Sequence, residues 1–176
     1  DKIQQLDDRV KRLEELAPPK NAESETKDNS VDLRERVKKR FEQDRTTYNK
    51  EERREIESLY QVANKEWNSP EAKVCLKALI EKYPKANRTG CALLYMGQMH
   101  SGEERENYLK RAISDFSDCF YGDGVQVGAY ARYYLAYYYQ ENGKKDEASA
   151  LYEEIRKNYP DAVNHKGRLL KDIIPK

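Results

Sequence analysis

Two histidines, three cysteines and a few adjacent acids are the residues of this chain that could do chemistry. A metal centre needs three or four His, Cys, Asp or Glu side chains at ligand spacing. His100 and His165 stand far apart, and neither has a second His or Cys nearby at such spacing. Cys75, Cys91 and Cys119 form no Cys-x-x-Cys, and an odd count argues against a full disulfide framework. Each cysteine falls in an expected helix, where a thiol serves as a small buried side chain. A bridge between Cys75 and Cys91 is the alternative, permitted in an oxidising compartment. Glu103-Glu104 and Glu153-Glu154 are sequence neighbours, so on a helix they point apart instead of flanking a substrate. Gly122-Asp123-Gly124 reads as a turn, and Asp115-x-x-Asp118 lacks the calcium-loop pattern. No glycine-rich phosphate loop opens a helix. Asn87-Arg88-Thr89 fits the glycosylation triplet, which is frequent by chance. The chemistry-bearing residues therefore predict no enzyme, no cofactor and no metal, and both histidines read as structural.

The elements that hold these residues come from a very polar chain. Charged residues make up 37% of 176 positions, and the mean hydropathy is -1.10. Low hydropathy alone suggests disorder. The 14 tyrosines oppose that, because they recur at helical spacing and can bury area. A net charge of +1 provides no global field for nucleic acid. No apolar run approaches the ~18 residues of a membrane span. The chain opens at Asp1 without an initiator Met or an apolar leader, so it reads as processed or trimmed, and export stays open.

Residues 1–17 carry a seam of Ile3, Leu6, Val10 and Leu13 at alternating spacing, with charges on the other faces. This pattern predicts a short coiled-coil helix and a homo-oligomer formed through it. Pro18-Pro19 stops that helix, and residues 18–30 read as a flexible polar linker. Ser30 or Asp32 then caps a charged helix over 31–50, with a narrow stripe of Leu33, Val37, Phe41 and Tyr48. Its basic run, Arg34, Arg36, Lys38, Lys39 and Arg40, is interleaved with acids and reads as a solvated face.

From residue 51 onward the helices pair. Ile56, Leu59, Tyr60 and Ala63 mark one helix; Ser69-Pro70 starts the next, which ends at Tyr83-Pro84. Leu93, Met96, Gly97 and His100 mark a third, and Leu109, Ala112, Ile113 and Phe116 a fourth. Gly97 sits where paired helices must approach closely. Leu135, Ala136, Tyr139, Gly143, Ala148, Tyr152 and Tyr159-Pro160 form the clearest pair. The units span about 53–86, 90–123 and 129–162, and residues 163–174 read as a capping helix.

These offsets resemble the tetratricopeptide repeat. The resemblance implies an all-α solenoid of helical hairpins, about three repeats and a cap, that binds a protein or peptide partner in its concave groove. The ending Tyr152, Ile155, Tyr159-Pro160 is similar to a subtype common in bacterial envelope proteins. The order of coiled coil, linker and repeats, with Leu6-Asp7-Asp8-Arg9-Val10-Lys11-Arg12-Leu13-Glu14, resembles the Tol–Pal-associated periplasmic cell-division coordinator family. That resemblance implies a periplasmic or envelope location, a trimerising stub and an envelope partner. A cytoplasmic regulator with free thiols is the alternative.

In this repeat the first helix of each pair lines the groove. The groove set is Tyr130, Tyr133, Tyr137 and Gln140 on the third unit, Leu94 and Gln98 on the second, and Gln61 and Asn64 on the first. The tyrosines are its expected anchors, since Tyr is large, amphipathic and cheap to order. Six tyrosines within 130–139 exceed one buried stripe of ~100°, which predicts that some reach the groove. The competing reading is a structural subunit that docks through the charged helix 31–48, with Arg36 and Arg40 in the contact.

Overall fold

The computed structural model describes residues 26–175. The helix expected over 1–17, its seam of Ile3, Leu6, Val10 and Leu13, and most of the 18–30 linker lie outside the described residues. Among those described, the chain is all α. Eight helices run in order: α1 (Thr26–Thr47), α2 (Lys50–Lys65), α3 (Pro70–Lys82), α4 (Asn87–Met99), α5 (Gly102–Asp115), α6 (Val127–Glu141), α7 (Lys145–Asn158) and α8 (Leu170–Ile173).

Local chemistry sets several boundaries. Asn49 and Glu52 form a reciprocal capping box that starts α2. The Ser69 hydroxyl accepts from the Ala72 N–H at 3.0 Å, and Pro70 follows at the first helical position. α1 begins at Thr26, earlier than the expected Ser30 or Asp32 cap, because no Pro or Gly interrupts residues 26–47.

The helices form three antiparallel pairs, α2–α3, α4–α5 and α6–α7, stacked into a solenoid. The first helices form the inner layer: α2 packs on α4, and α4 on α6. The core runs along this stack through Ile56, Tyr60, Leu76, Leu93, Met96, Leu109, Leu135 and Ile155. Gly97 permits the α4–α5 approach, since a Cβ there would lie 2.6 Å from Leu109 Cδ2.

Successive units join through a repeated turn. The Ala86 N–H donates to Tyr83 O, Cys119 to Phe116 O and Ala162 to Tyr159 O, each at 3.1 Å. After the second and third units the chain adds the same small hairpin. Val127 N–H donates to Cys119 O at 2.8 Å, and Leu170 N–H to Ala162 O at 2.8 Å. Phe120 bridges Gln126, and Val163 bridges Leu169. Gly124 (φ 92°) and Gly167 (φ 72°) hold the left-handed tip position that a side chain would strain.

The expected cap helix over 163–174 is therefore corrected. Residues 163–169 make a hairpin, and α8 stands where α6 stands after the preceding hairpin. Asn164 explains the turn: its Oδ1 accepts from the N–H groups of Lys166 and Arg168, each at 3.0 Å.

α1 crosses these junctions as a strap. Lys85 N–H donates to the Tyr48 hydroxyl just beyond α1, and Asp44 takes the Asn87 N–H at 3.0 and 3.1 Å. Arg40 donates to Lys85 O at 2.9 Å and to Cys119 Sγ at 3.4 Å. Arg36 pairs with Asp161 in the last junction. The helix thus touches the turns after all three units.

Candidate protein-binding surface

The inner face of α2 carries an ordered polar ladder. Arg88 donates to both carboxylate oxygens of Glu57, at 2.9 and 3.2 Å. Gln61 Nε2 donates to Glu57 Oε1 at 2.5 Å, and Asn64 Nδ2 to Gln61 Oε1 at 3.1 Å. The Tyr95 hydroxyl, from α4, closes the ladder on Asn64 Oδ1 at 2.8 Å and accepts from Tyr60 at 3.2 Å. The Arg88 guanidinium lies 4.2 Å over the Tyr60 ring, which also stacks on Tyr95. Helical spacing builds this ladder, since residues 57, 61 and 64 share one face. Every rung fixes the rotamer of the next, so the face is pre-organised for contact.

An aromatic seam continues from it. Trp67, in the α2–α3 turn, meets the Tyr95 ring edge-on at 5.2 Å. Tyr95 meets Tyr121, Tyr121 meets His165, and His165 meets Tyr130, at centroid distances of 5.6, 5.0 and 5.2 Å. The seam thus runs from the α2–α3 turn across α4, both hairpins and α6. His165 Nδ1 lies 2.6 Å from Asp123 Oδ2 and ties one hairpin to the other. Burial pushes the Asp123 carboxyl up, but the His165 hydrogen bond and charge outweigh it, and its pKa sits below the usual range.

The groove set divides on burial. Gln61 is half-buried and Asn64 exposed, and the structure brings them together. Gln140 is exposed and accepts from the Tyr152 hydroxyl of its own pair. Tyr130, Tyr133 and Tyr137 are 3%, 2% and 4% exposed, and Leu94 and Gln98 are also buried. The expected tyrosine anchors are thus core residues. α6 is enclosed by α4, α5, α7 and α8, and His165 of the second hairpin sits against Tyr130. A helix covered on all sides carries apolar and aromatic residues all round, so the one-stripe limit does not apply to it.

Trp67 and Tyr95 were absent from the groove set. Trp67 was detectable as a large apolar residue in an otherwise polar turn, outside any helical stripe. It is 39% exposed; among the described residues the other exposed large apolar side chain is Val74, at 67%, on the outer helix α3.

Two further expectations are corrected by geometry. Arg36 and Arg40 do not present a docking face. Arg40 is buried against Asp44, Lys85 and Cys119, and Arg36 is engaged with Asp32 and Asp161. The bridge between Cys75 and Cys91 is not formed, and all three cysteines are free. Burial pushes the Cys91 thiol far up, and burial outweighs the Arg40 charge to push Cys119 up to about 12. Neither buried thiol is a nucleophile at neutral pH. His100 Nδ1 lies 2.7 Å from Met96 O, a carbonyl that only accepts, so the ring donates there. Among the described residues no three His, Cys, Asp or Glu converge as a metal site requires, and no helix is long and apolar enough to cross a membrane.

Comparison with known proteins agrees with this geometry. No curated protein and no solved structure matches the chain, so the likeness to the Tol–Pal-associated family finds no support there. Residues 130–162, which hold most of α6, all of α7 and the Tyr159-Pro160 turn, match the family model of the tetratricopeptide repeat, and that match supports a tetratricopeptide repeat protein with the fold of an all-α helical solenoid.

Proposed function

We propose that this protein is a non-enzymatic scaffold whose inner face binds a segment of a protein partner along Gln61, Asn64, Trp67 and Tyr95. The observation that carries this reading is the ladder from Glu57 to Tyr95, which ends beside an exposed indole. Tetratricopeptide repeats suggest protein–protein interaction and are in general not catalysts. Trp and Tyr are among the residue types that dominate binding energy; here Trp67 is exposed and Tyr95 half-buried. The setting we propose is a bacterial cell-envelope assembly, supported by the ending of the third unit and the order of parts in the sequence. A cytoplasmic regulator is the second reading, favoured by three cysteines without a bridge.

Affinity capture from host extract, read by mass spectrometry, tests the surface. Wild type is compared with Asn64→Ala/Trp67→Ala and with Val74→Asp on the outer layer. Loss of a partner from the first variant alone supports the inner face. Loss from Val74→Asp alone places binding on the outer helices and removes the proposal.

A further inference from the structure

The two side-chain amides on the inner face of α2 are each half used. Gln61 Nε2 spends one hydrogen on Glu57 Oε1, and Asn64 Nδ2 spends one on Gln61 Oε1. Each amide oxygen accepts one bond, Gln61 Oε1 from Asn64 and Asn64 Oδ1 from the Tyr95 hydroxyl. A primary amide carries two donor hydrogens and two acceptor lone pairs. Among the described residues nothing takes the second hydrogen or the second lone pair of either amide. Asn64 is exposed and Gln61 half-buried, so a partner can reach both.

The bonds that fix these amides also polarise them. Tyr60 donates to Tyr95, Tyr95 to Asn64, Asn64 to Gln61 and Gln61 to the Glu57 carboxylate, so every donor in the row runs towards that anion. In such a chain each bond strengthens the next. Arg88 anchors the end by holding Glu57 with two bonds. Each amide therefore offers one donor and one acceptor from a supported position. A peptide unit offers the same pair, one N–H and one C=O. A helical segment has spent those groups within itself, whereas an extended one still carries them. Along an extended chain the residues that turn N–H and C=O to one edge recur at every second position, about 6.7 Å apart. Gln61 and Asn64 stand three residues apart on one helical face, where Cβ atoms lie about 5–6 Å apart. The two spacings are close enough for neighbouring amides to meet alternate residues of one strand.

We infer that Gln61 and Asn64 form a backbone-binding subsite for an extended segment of the partner, each amide pairing with the N–H and C=O of alternate residues. This rests on the inner-face reading above and names the conformation and the groups of the segment it takes. Main-chain bonds supply the affinity, and Trp67, exposed beyond Asn64, is left to contact a side chain of the segment. The groups that bond are neutral, so binding changes little with added salt.

The side-chain NH2 signals of Gln61 and Asn64 report the subsite in a nitrogen–proton correlation spectrum of the labelled full chain. Gln61→Leu and Asn64→Leu assign them, with helical circular dichroism checked alongside. Three probes are titrated: acetyl-Val-Thr-Val-Thr-Val-Thr-amide, the same peptide N-methylated at its valines, and the peptide N-methylated throughout. A strand has two edges, and valine methylation closes one of them. The expected result is a saturable shift of both signals with the first two probes, their affinities within about twofold for two usable edges against one, and no shift with the third. Asn64→Leu should weaken the first probe about tenfold, read at the Gln61 signal. Binding that survives full methylation assigns recognition to side chains and overturns the backbone subsite, but leaves the inner face as a binding surface. Binding lost on valine methylation alone overturns the extended conformation. No saturable shift with the first probe also overturns the subsite, and the capture experiment then judges the inner face independently.

Discussion

Asp118 and Asp161 occupy the same position in two successive junction turns, and one helix meets both with arginine. Arg40 Nε lies 3.7 Å from Asp118 Oδ2, and Arg36 pairs with Asp161 one helical turn earlier. In the first junction the same position is Lys85, and there Arg40 takes the backbone carbonyl instead. The strap therefore reads the solenoid's own period. Each repeat of a solenoid contacts only its neighbours; α1 adds a tie across all three.

The first prediction concerns that tie. Arg40→Ala leaves Asp44 enclosed without its cation, 2.8 Å away in the native protein. Breaking a buried pair from one side costs about 3 kcal/mol. The denaturant midpoint should fall, and amide exchange should speed up in α1 and at Asn87 before the rest of the fold. Arg34→Ala, at an exposed site on the same helix, should move neither. Equal effects of the two would show that α1 is not anchored through Arg40.

Gly97 sets the second. A methyl group at this position would lie 2.6 Å from Leu109 Cδ2 and 2.7 Å from its Cγ. Leu109 is buried and cannot withdraw without displacing its neighbours. Gly97→Ala should therefore destabilise the protein by about 1–3 kcal/mol, although alanine favours a helix. Gly97→Ala combined with Leu109→Ala should recover less than the sum of the two losses. A stabilised Gly97→Ala protein would refute the close approach of α4 and α5.

A pH dependence follows from Glu106. It accepts from the Tyr139 hydroxyl at 2.7 Å and pairs with Lys110 at 2.7 Å and Lys144 at 3.6 Å. The Lys110 hydrogen bond, then that of Tyr139, lowers its pKa. A lowered folded pKa means stability that is full above the unfolded value of about 4.3 and lost as pH falls through the folded value. Wild type should exceed Glu106→Gln by about 1 kcal/mol at pH 7, and the gap should close only below about pH 4. A gap that persists in acid would assign the effect to shape instead of charge.

Thiol reactivity checks the cysteines. Cys91 and Cys119 are buried with raised thiol pKa values, and Cys75 is half-buried on α3. A thiol reagent on unreduced native protein at pH 8 should modify Cys75 first. The other two should react at the rate of unfolding and immediately in denaturant. Fewer than three thiols in denaturant would reveal a disulfide and favour an exported protein. Three would leave the cytoplasmic reading standing.

Most of the helices were legible because their causes are local. Ser69-Pro70, the small Gly97 and the Tyr152-to-Pro160 ending each act within a few residues, so spacing alone identifies them. The hairpin at 163–169 escaped that reading. Its sequence carries a helical alternation of Val163, Leu169 and Leu170, while the deciding features are one Asn side chain and one left-handed glycine.

What the sequence by itself determined is the architecture: helix pairs, their order and the close approaches that small residues allow. Tertiary structure alone decided which surface is available. Whether Tyr130 faces solvent depends on His165, which arrives from a hairpin distant in the chain. Whether Arg40 faces a partner depends on Asp44, Lys85 and Cys119 converging from three elements. Helical periodicity records which residues share a face of one helix; it does not record how many neighbours will cover that helix. Burial is a property of the assembled stack, so the tyrosines of α6 went into the core while Trp67 stayed exposed.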